Sequence, residues 1–173
     1  MKKKLLKFIC LSALIVSLSI SLNSCGKDIL DGETALKSGE MQATVSGSGQ
    51  GTGHFYATDA HVIDGGVAAT YFIAATVKDQ NNSDSLVIHI LIPKLPTVPY
   101  TIDVAKDPTA VVDYCVNTAS ACITYQSKLN KGSAVVKITE LTPNVQGTFS
   151  GTLTSDDGST SVTFTNGGFN ASF

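Results

Sequence analysis

The sequence predicts an all-β protein: an antiparallel β-sandwich or small β-barrel following an N-terminal signal peptide. Three observations lead there. Over residues 41–173 apolar and polar side chains alternate with a period of two in one segment after another. Turn signals built from Gly, Asp, Asn and Pro recur at roughly 8–13-residue intervals, the spacing of hairpins in a sandwich or barrel. Beyond the first 24 residues no stretch keeps a helical period for three turns.

The leader comes first. Lys2, Lys3, Lys4 and Lys7 form a positive segment, and residues 8–22 make an apolar run of 15 residues. That run suits a secretory signal and is shorter than the about 20 residues of a membrane-spanning helix. It ends in Leu22-Asn23-Ser24-Cys25, which resembles a bacterial lipobox, with Asn23 in place of the usual small residue. The resemblance implies cleavage before Cys25, a diacylglyceryl thioether on its sulfur and an acyl group on the new amine. Gly26, rather than Asp, follows the cysteine and by analogy favours sorting to the outer membrane. The expected organisation is a lipoprotein signal peptide over 1–24, a lipidated flexible tether over 25–40, and one all-β domain over 41–173. Cys10 leaves with the signal.

Within the domain, Met41, Ala43 and Val45 alternate with Gln42, Thr44 and Ser46, predicting a strand over 41–47. Residues 54–60 continue extended, and 67–77 place Val67, Ala69, Tyr71, Ile73, Ala75 and Val77 on one face. Residues 86–92 are apolar on both faces, as in a covered central strand. Pro93, Pro96 and Pro99 then carry the chain across an end of the fold. Later strands are expected at 109–116, 121–128, 134–141, 146–154, 160–165 and 168–173. Asp64-Gly65 and Asp157-Gly158 read as type I′-like turns, with Asn130-Lys131-Gly132, Pro143-Asn144 and Asn166-Gly167 as further turns. Gly147 and Gly151 relieve crowding on a strand. Phe149, Leu153, Val162, Phe164 and Phe169 are core candidates.

Charge and composition narrow the function. There are 12 basic residues, all lysine, against 14 acids. Removing 1–24 takes four lysines and no acid, leaving −6 over 149 residues. That is no electrostatic footprint for nucleic acid, and the membrane contact falls to the acyl anchor. The aliphatic content is too high for a disordered chain.

Cys115 and Cys122 remain after processing. They read as a structural disulfide across a hairpin whose loop is 117–120, against the alternative of reduced core cysteines, in an oxidising compartment. The spacing is neither a CxxC redox pair nor half of a zinc site.

Candidate chemistry is sparse. His54 and His61 are an odd number of residues apart, and His89 lies in the most apolar strand, so no joint metal site is expected. Neither HExxH nor GxSxG occurs. The glycine-alternating segment 46–53 reads as a mobile hairpin connection rather than a phosphate cradle, because a strand follows it. No catalytic residues, metal or cofactor are assigned. Asp84-Ser85-Leu86 resembles the signal at which Bacteroidota O-glycosylate exported proteins, which implies a sugar on Ser85 at an exposed loop edge.

The C-terminal third contains Ile138-Thr139-Glu140-Leu141, Gly147-Thr148-Phe149-Ser150 and Val162-Thr163-Phe164-Thr165-Asn166-Gly167-Gly168-Phe169. Over residues 130–173 this is similar to a family of uncharacterised Bacteroidota lipoproteins that pair a lipobox with a β-rich domain. The resemblance implies an outer-membrane or surface location and supplies no catalytic residue. The function expected is a non-enzymatic β-module, anchored by lipid and facing the periplasm or the cell surface, that binds a glycan, a protein or an envelope component. Tyr56, Tyr71, Tyr100, Tyr114 and Tyr125 are its candidate binding aromatics. The alternative is a lipocalin-like small barrel carrying an apolar ligand.

Overall fold

The computed structural model describes residues 35–64, 70–78, 83–91, 98–118 and 120–173. Cys25, the leader and the first part of the tether lie outside them. The strands are β1 (Glu40–Gly47), β2 (Gly53–Ala57), β3 (His61–Asp64), β4 (Thr70–Lys78), β5 (Ser83–Leu91), β6 (Tyr100–Asp103), β7 (Ala110–Asn117), β8 (Cys122–Ser127), β9 (Val135–Glu140), β10 (Val145–Ser155) and β11 (Ser161–Ala171). All the strand pairs are antiparallel, in the order β2-β1-β11-β10-β8-β7-β5-β4-β3. This is one curled sheet, a half-barrel, and no helix occurs among the described residues. The curl brings β3 back to the end of the chain: Val62 N–H donates to Ser172 O at 2.7 Å and Ser172 N–H to Ala60 O at 3.1 Å.

The sheet forks at β10. Near its C-terminal end, Thr154 and Ser155 pair with Gln126 and Tyr125 of β8. Over 146–150 the same edge is taken by β9, which β6 then extends. Ser127 stands at the fork, fully buried, its Oγ accepting from Ala134 N–H at 3.0 Å.

Period-two patterning fills the inner face. β7 buries Ala110, Val112, Tyr114 and Val116 while Val111, Asp113, Cys115 and Asn117 point away. β1 buries Met41, Ala43 and Val45, as its alternation predicts. Phe55 packs edge-on to Tyr114, Tyr114 edge-on to Phe164, and Phe164 against Phe149, with ring centroids 5.2–6.1 Å apart. Such pairs contribute about 0.5–1.5 kcal/mol each beyond their area.

Several expectations need correction. Residues 160–165 and 168–173 are one strand. Asn166 (φ 52°) is not a turn but a bulge within β11, an extra residue relative to both neighbours. It switches the inward parity from Val162 and Phe164 to Gly167, Phe169 and Ala171. Asp157-Gly158 is not a two-residue type I′ turn: only Gly158 has positive φ, and Ser155 N–H closes the longer loop on Thr160 O at 2.9 Å. Residues 54–60 end as a strand at Ala57, and the short β3 and β6 were not anticipated. The end of the expected tether belongs to the domain, since Asn170 Nδ2 donates to Leu36 O at 2.7 Å and Gly39 N–H to Asn170 O at 2.7 Å.

Cys115 and Cys122 are disulfide-bonded, with Cα atoms 5.7 Å apart. They sit diagonally rather than directly opposite: Cys115 faces Thr124, and Cys122 faces Asn117, so the loop is 118–121. The bond lies on the outer face of the hairpin. Closing so short a loop stabilises by about 2.5 kcal/mol. Cys115→Ser is therefore expected to lower the urea midpoint correspondingly; an unchanged midpoint, with two free thiols in denatured wild type, would remove the bridge.

Asp157 reports on acid stability. Its carboxylate accepts from Ser155 Oγ at 2.6 Å and from Ser159 N–H at 3.0 Å and Oγ at 2.8 Å. The Ser155 hydroxyl and then the Ser159 groups lower its pKa to about 2. A carboxyl that is more acidic when folded stabilises the fold above its unfolded pKa near 4, and loses that contribution as pH falls toward 2. Asp157→Asn should flatten the stability profile between about pH 4 and 2, measured by denaturant unfolding; a profile identical to wild type would exclude this role.

Candidate functional site

The five tyrosines separate by strand phase. Tyr114 and Tyr125 are 1% exposed, so neither presents a ring to a ligand, which corrects their expected role. Each lies in phase with inward-facing neighbours: Tyr114 with Val112 and Val116, Tyr125 with Ser127. Their hydroxyls reach the glycine-rich segment, where Tyr125 Oη accepts from Gln50 N–H at 2.8 Å and Tyr114 Oη donates to Gly51 O at 3.0 Å. That segment is thus pinned over one end of the core rather than being a loose connection. Gly51 (φ 74°) must be glycine there, because a Cβ would stand 2.5 Å from Val116 Cγ2 and 2.6 Å from Tyr114 Oη. Tyr125→Phe removes the acceptor from Gln50 N–H and is expected to cost about 1 kcal/mol. Faster amide exchange at Gln50 checks this; unchanged exchange would show that the pin is not made.

Tyr100, half-buried, packs against the core from β6. Tyr71 lies in β4 opposite Asp64 and Ile90, with its side chain outside the described residues. Tyr56 is 41% exposed on β2. Its ring is nearly parallel to that of His54, centroids 6.3 Å apart, and its hydroxyl donates to Glu40 Oε1 at 2.9 Å. This bond raises the Tyr56 pKa. The backbone N–H of Lys37, followed by that hydroxyl, holds the Glu40 carboxyl below its ordinary range.

His61 lies in a different strand from His54, its Nδ1 donating to Asp59 O at 2.6 Å. His89 pairs with Phe72 and Val111 within β5. Among the described residues no three His, Cys, Asp or Glu side chains gather as metal ligands. Ser85 is the third residue of β5, half-buried and paired with Thr76 and Cys115, so it stands inside a strand rather than at a loop edge.

A feature that strand-by-strand reading missed is an open groove of about 420 Å³ on the outer face of β6, β9, β10 and β11. Its volume is in the range of small-molecule sites. A cross-strand row, Thr101–Lys137–Thr148, runs over it, set by the pairing of β9 with both neighbours. Ser150 and Asn166 add further polar groups, Val135 supplies apolar lining, and the buried Phe149 lies at the floor. The β11 bulge shapes one wall. Gly167 there lacks a Cβ that would stand 2.8 Å from the Phe149 ring.

Compared with protein-family models, curated proteins and solved structures, the chain matches none. The functional reading therefore rests on its own residues.

Proposed function

We propose that the chain is an outer-membrane or surface lipoprotein whose β-domain is a non-enzymatic binding module, tethered through Cys25 and meeting its partner with its outer surface. The observation that carries this is where the chain enters the fold. Leu36 and Gly39 are bonded to Asn170 at one end of the sheet, beside Asn144, whose Nδ2 donates to Asn170 Oδ1 at 2.8 Å. Ten residues, 26–35, separate that point from Cys25, a span of at most about 35 Å. The opposite end carries the pinned 48–52 segment, the disulfide-clasped 118–121 loop and the 156–159 loop. With β10 running 11 residues between the ends, they stand roughly 35 Å apart at about 3.3 Å per residue. The aromatic packing between β2, β7, β10 and β11 supports an outer binding surface over a lipocalin-like cavity.

Fluorophores on Thr142→Cys (tether end) and Ser159→Cys (far end) test this arrangement in the full lipidated protein on vesicles containing headgroup-quencher lipid. The label at 142 is expected to be quenched strongly and that at 159 weakly. Equal quenching, or stronger quenching at 159, would contradict it.

A further inference from the structure

We infer that the groove across β6, β9, β10 and β11 binds a negatively charged saccharide, a ligand class that rests on the binding-module reading above. The charge comes from Lys137. Among the described residues the ion pairs are Lys106–Asp103 and Lys131–Asp156, so Lys137 enters neither. The groove lining contains no carboxylate. The nearest acid along β6 is Asp103, whose cross-strand partner is Val135, and Lys106 Nζ already meets it at 2.6 Å. On a domain of net negative charge, this is a local cationic spot with no ion-pair partner among the described residues.

The rest of the lining fits a sugar. Thr101 and Thr148 flank Lys137 with hydroxyls, and Ser150 and Asn166 add a hydroxyl and an amide. Groups of this kind both donate to and accept from ring hydroxyls. Val135, 36% exposed, gives apolar surface for the C–H face of a pyranose. An extended peptide adds a strand only at a free sheet edge; β9 and β10, which carry Lys137 and Thr148, are paired on both sides, so the Lys137 row offers no such edge, and the outer edge of β6 lies beyond it. Phosphopeptide recognition favours arginine clusters, and the chain has no arginine.

The test is calorimetric titration of the full lipidated protein in detergent with trigalacturonate, a sulfated heparin disaccharide and neutral maltotriose. At least one charged probe is expected to bind and to weaken as salt rises from about 0.05 to 0.5 M, with maltotriose binding at least tenfold more weakly, on the order expected for loss of a charge-assisted contact. Lys137→Ala should weaken the charged probe about tenfold or more, whereas Lys128→Ala, on the exposed bridge before Asn130, should leave it unchanged. Preference between the two charged probes identifies carboxylate or sulfate as the recognised group. The inference is overturned if neither charged probe binds protein of native circular dichroism, if maltotriose binds as tightly, or if Lys137→Ala binds like wild type. Failure here with the vesicle-quenching pattern intact would reject this ligand class and leave the anchored module standing.

Discussion

Cys25→Ala is expected to move the protein from the membrane fraction to the soluble fraction and to abolish palmitate labelling. The magnitude follows from hydrocarbon transfer. Each buried CH₂ contributes about 0.8 kcal/mol, a single acyl chain gives only marginal attachment, and several chains on one cysteine make it durable. The chain that the proposed cleavage would leave carries a net charge of −6, which repels anionic headgroups, and among the described residues no helix is long and apolar enough to cross a membrane. An unlabelled variant still retained at the membrane would contradict the proposed anchor.

Gly151→Ala is expected to produce the largest loss of folding stability, about 3 kcal/mol or more. Two causes act together. The residue has φ 135°, a conformation that side chains rarely adopt, and a Cβ there would stand 2.5 Å from Ser133 O and 2.5 Å from Ala134 Cα. Those obstacles are backbone, and they are held in place: Ser133 N–H donates to Thr152 O at 2.9 Å, and Ala134 N–H to the buried Ser127 Oγ. Relief would require opening the fork where β8 gives way to β9. Gly158→Ala separates the two causes, because Gly158 has φ 74° but nothing within 4 Å of its added Cβ. Its expected cost is about 1 kcal/mol. Urea unfolding of both variants checks this; equal losses would mean that the clash at Gly151 is absorbed.

How much of this was legible in the sequence follows from the range of each signal. Alternation is local, so β1, β7, β9 and β10 could be placed within one or two residues, and Phe149, Leu153, Val162, Phe164 and Phe169 could be assigned inward. The same parity held the burial of Tyr114, in step with Val112 and Val116, and a stricter phase argument would have kept it from the binding aromatics. In β11 the shift from Val162 and Phe164 to Phe169 and Ala171 was visible as a broken period. Positive φ at Asn166 serves a turn or a bulge equally well, so the sequence alone did not separate them. β3 and β6 are four residues each, too short for a periodic signal, and β6 directly follows Pro99. The groove was not legible at all. Thr101, Lys137 and Thr148 come from three strands, and they meet only because β9 lies between β6 and β10, a pairing that alternation does not encode.

The most direct measurement is the intact mass, with fragmentation, of the protein extracted from membranes. The account requires a chain that begins at Cys25, carries a diacylglyceryl group on its sulfur and retains the Cys115–Cys122 bond. A chain still bearing residues 1–24, or one cut at another site with an unmodified Cys25, would contradict it.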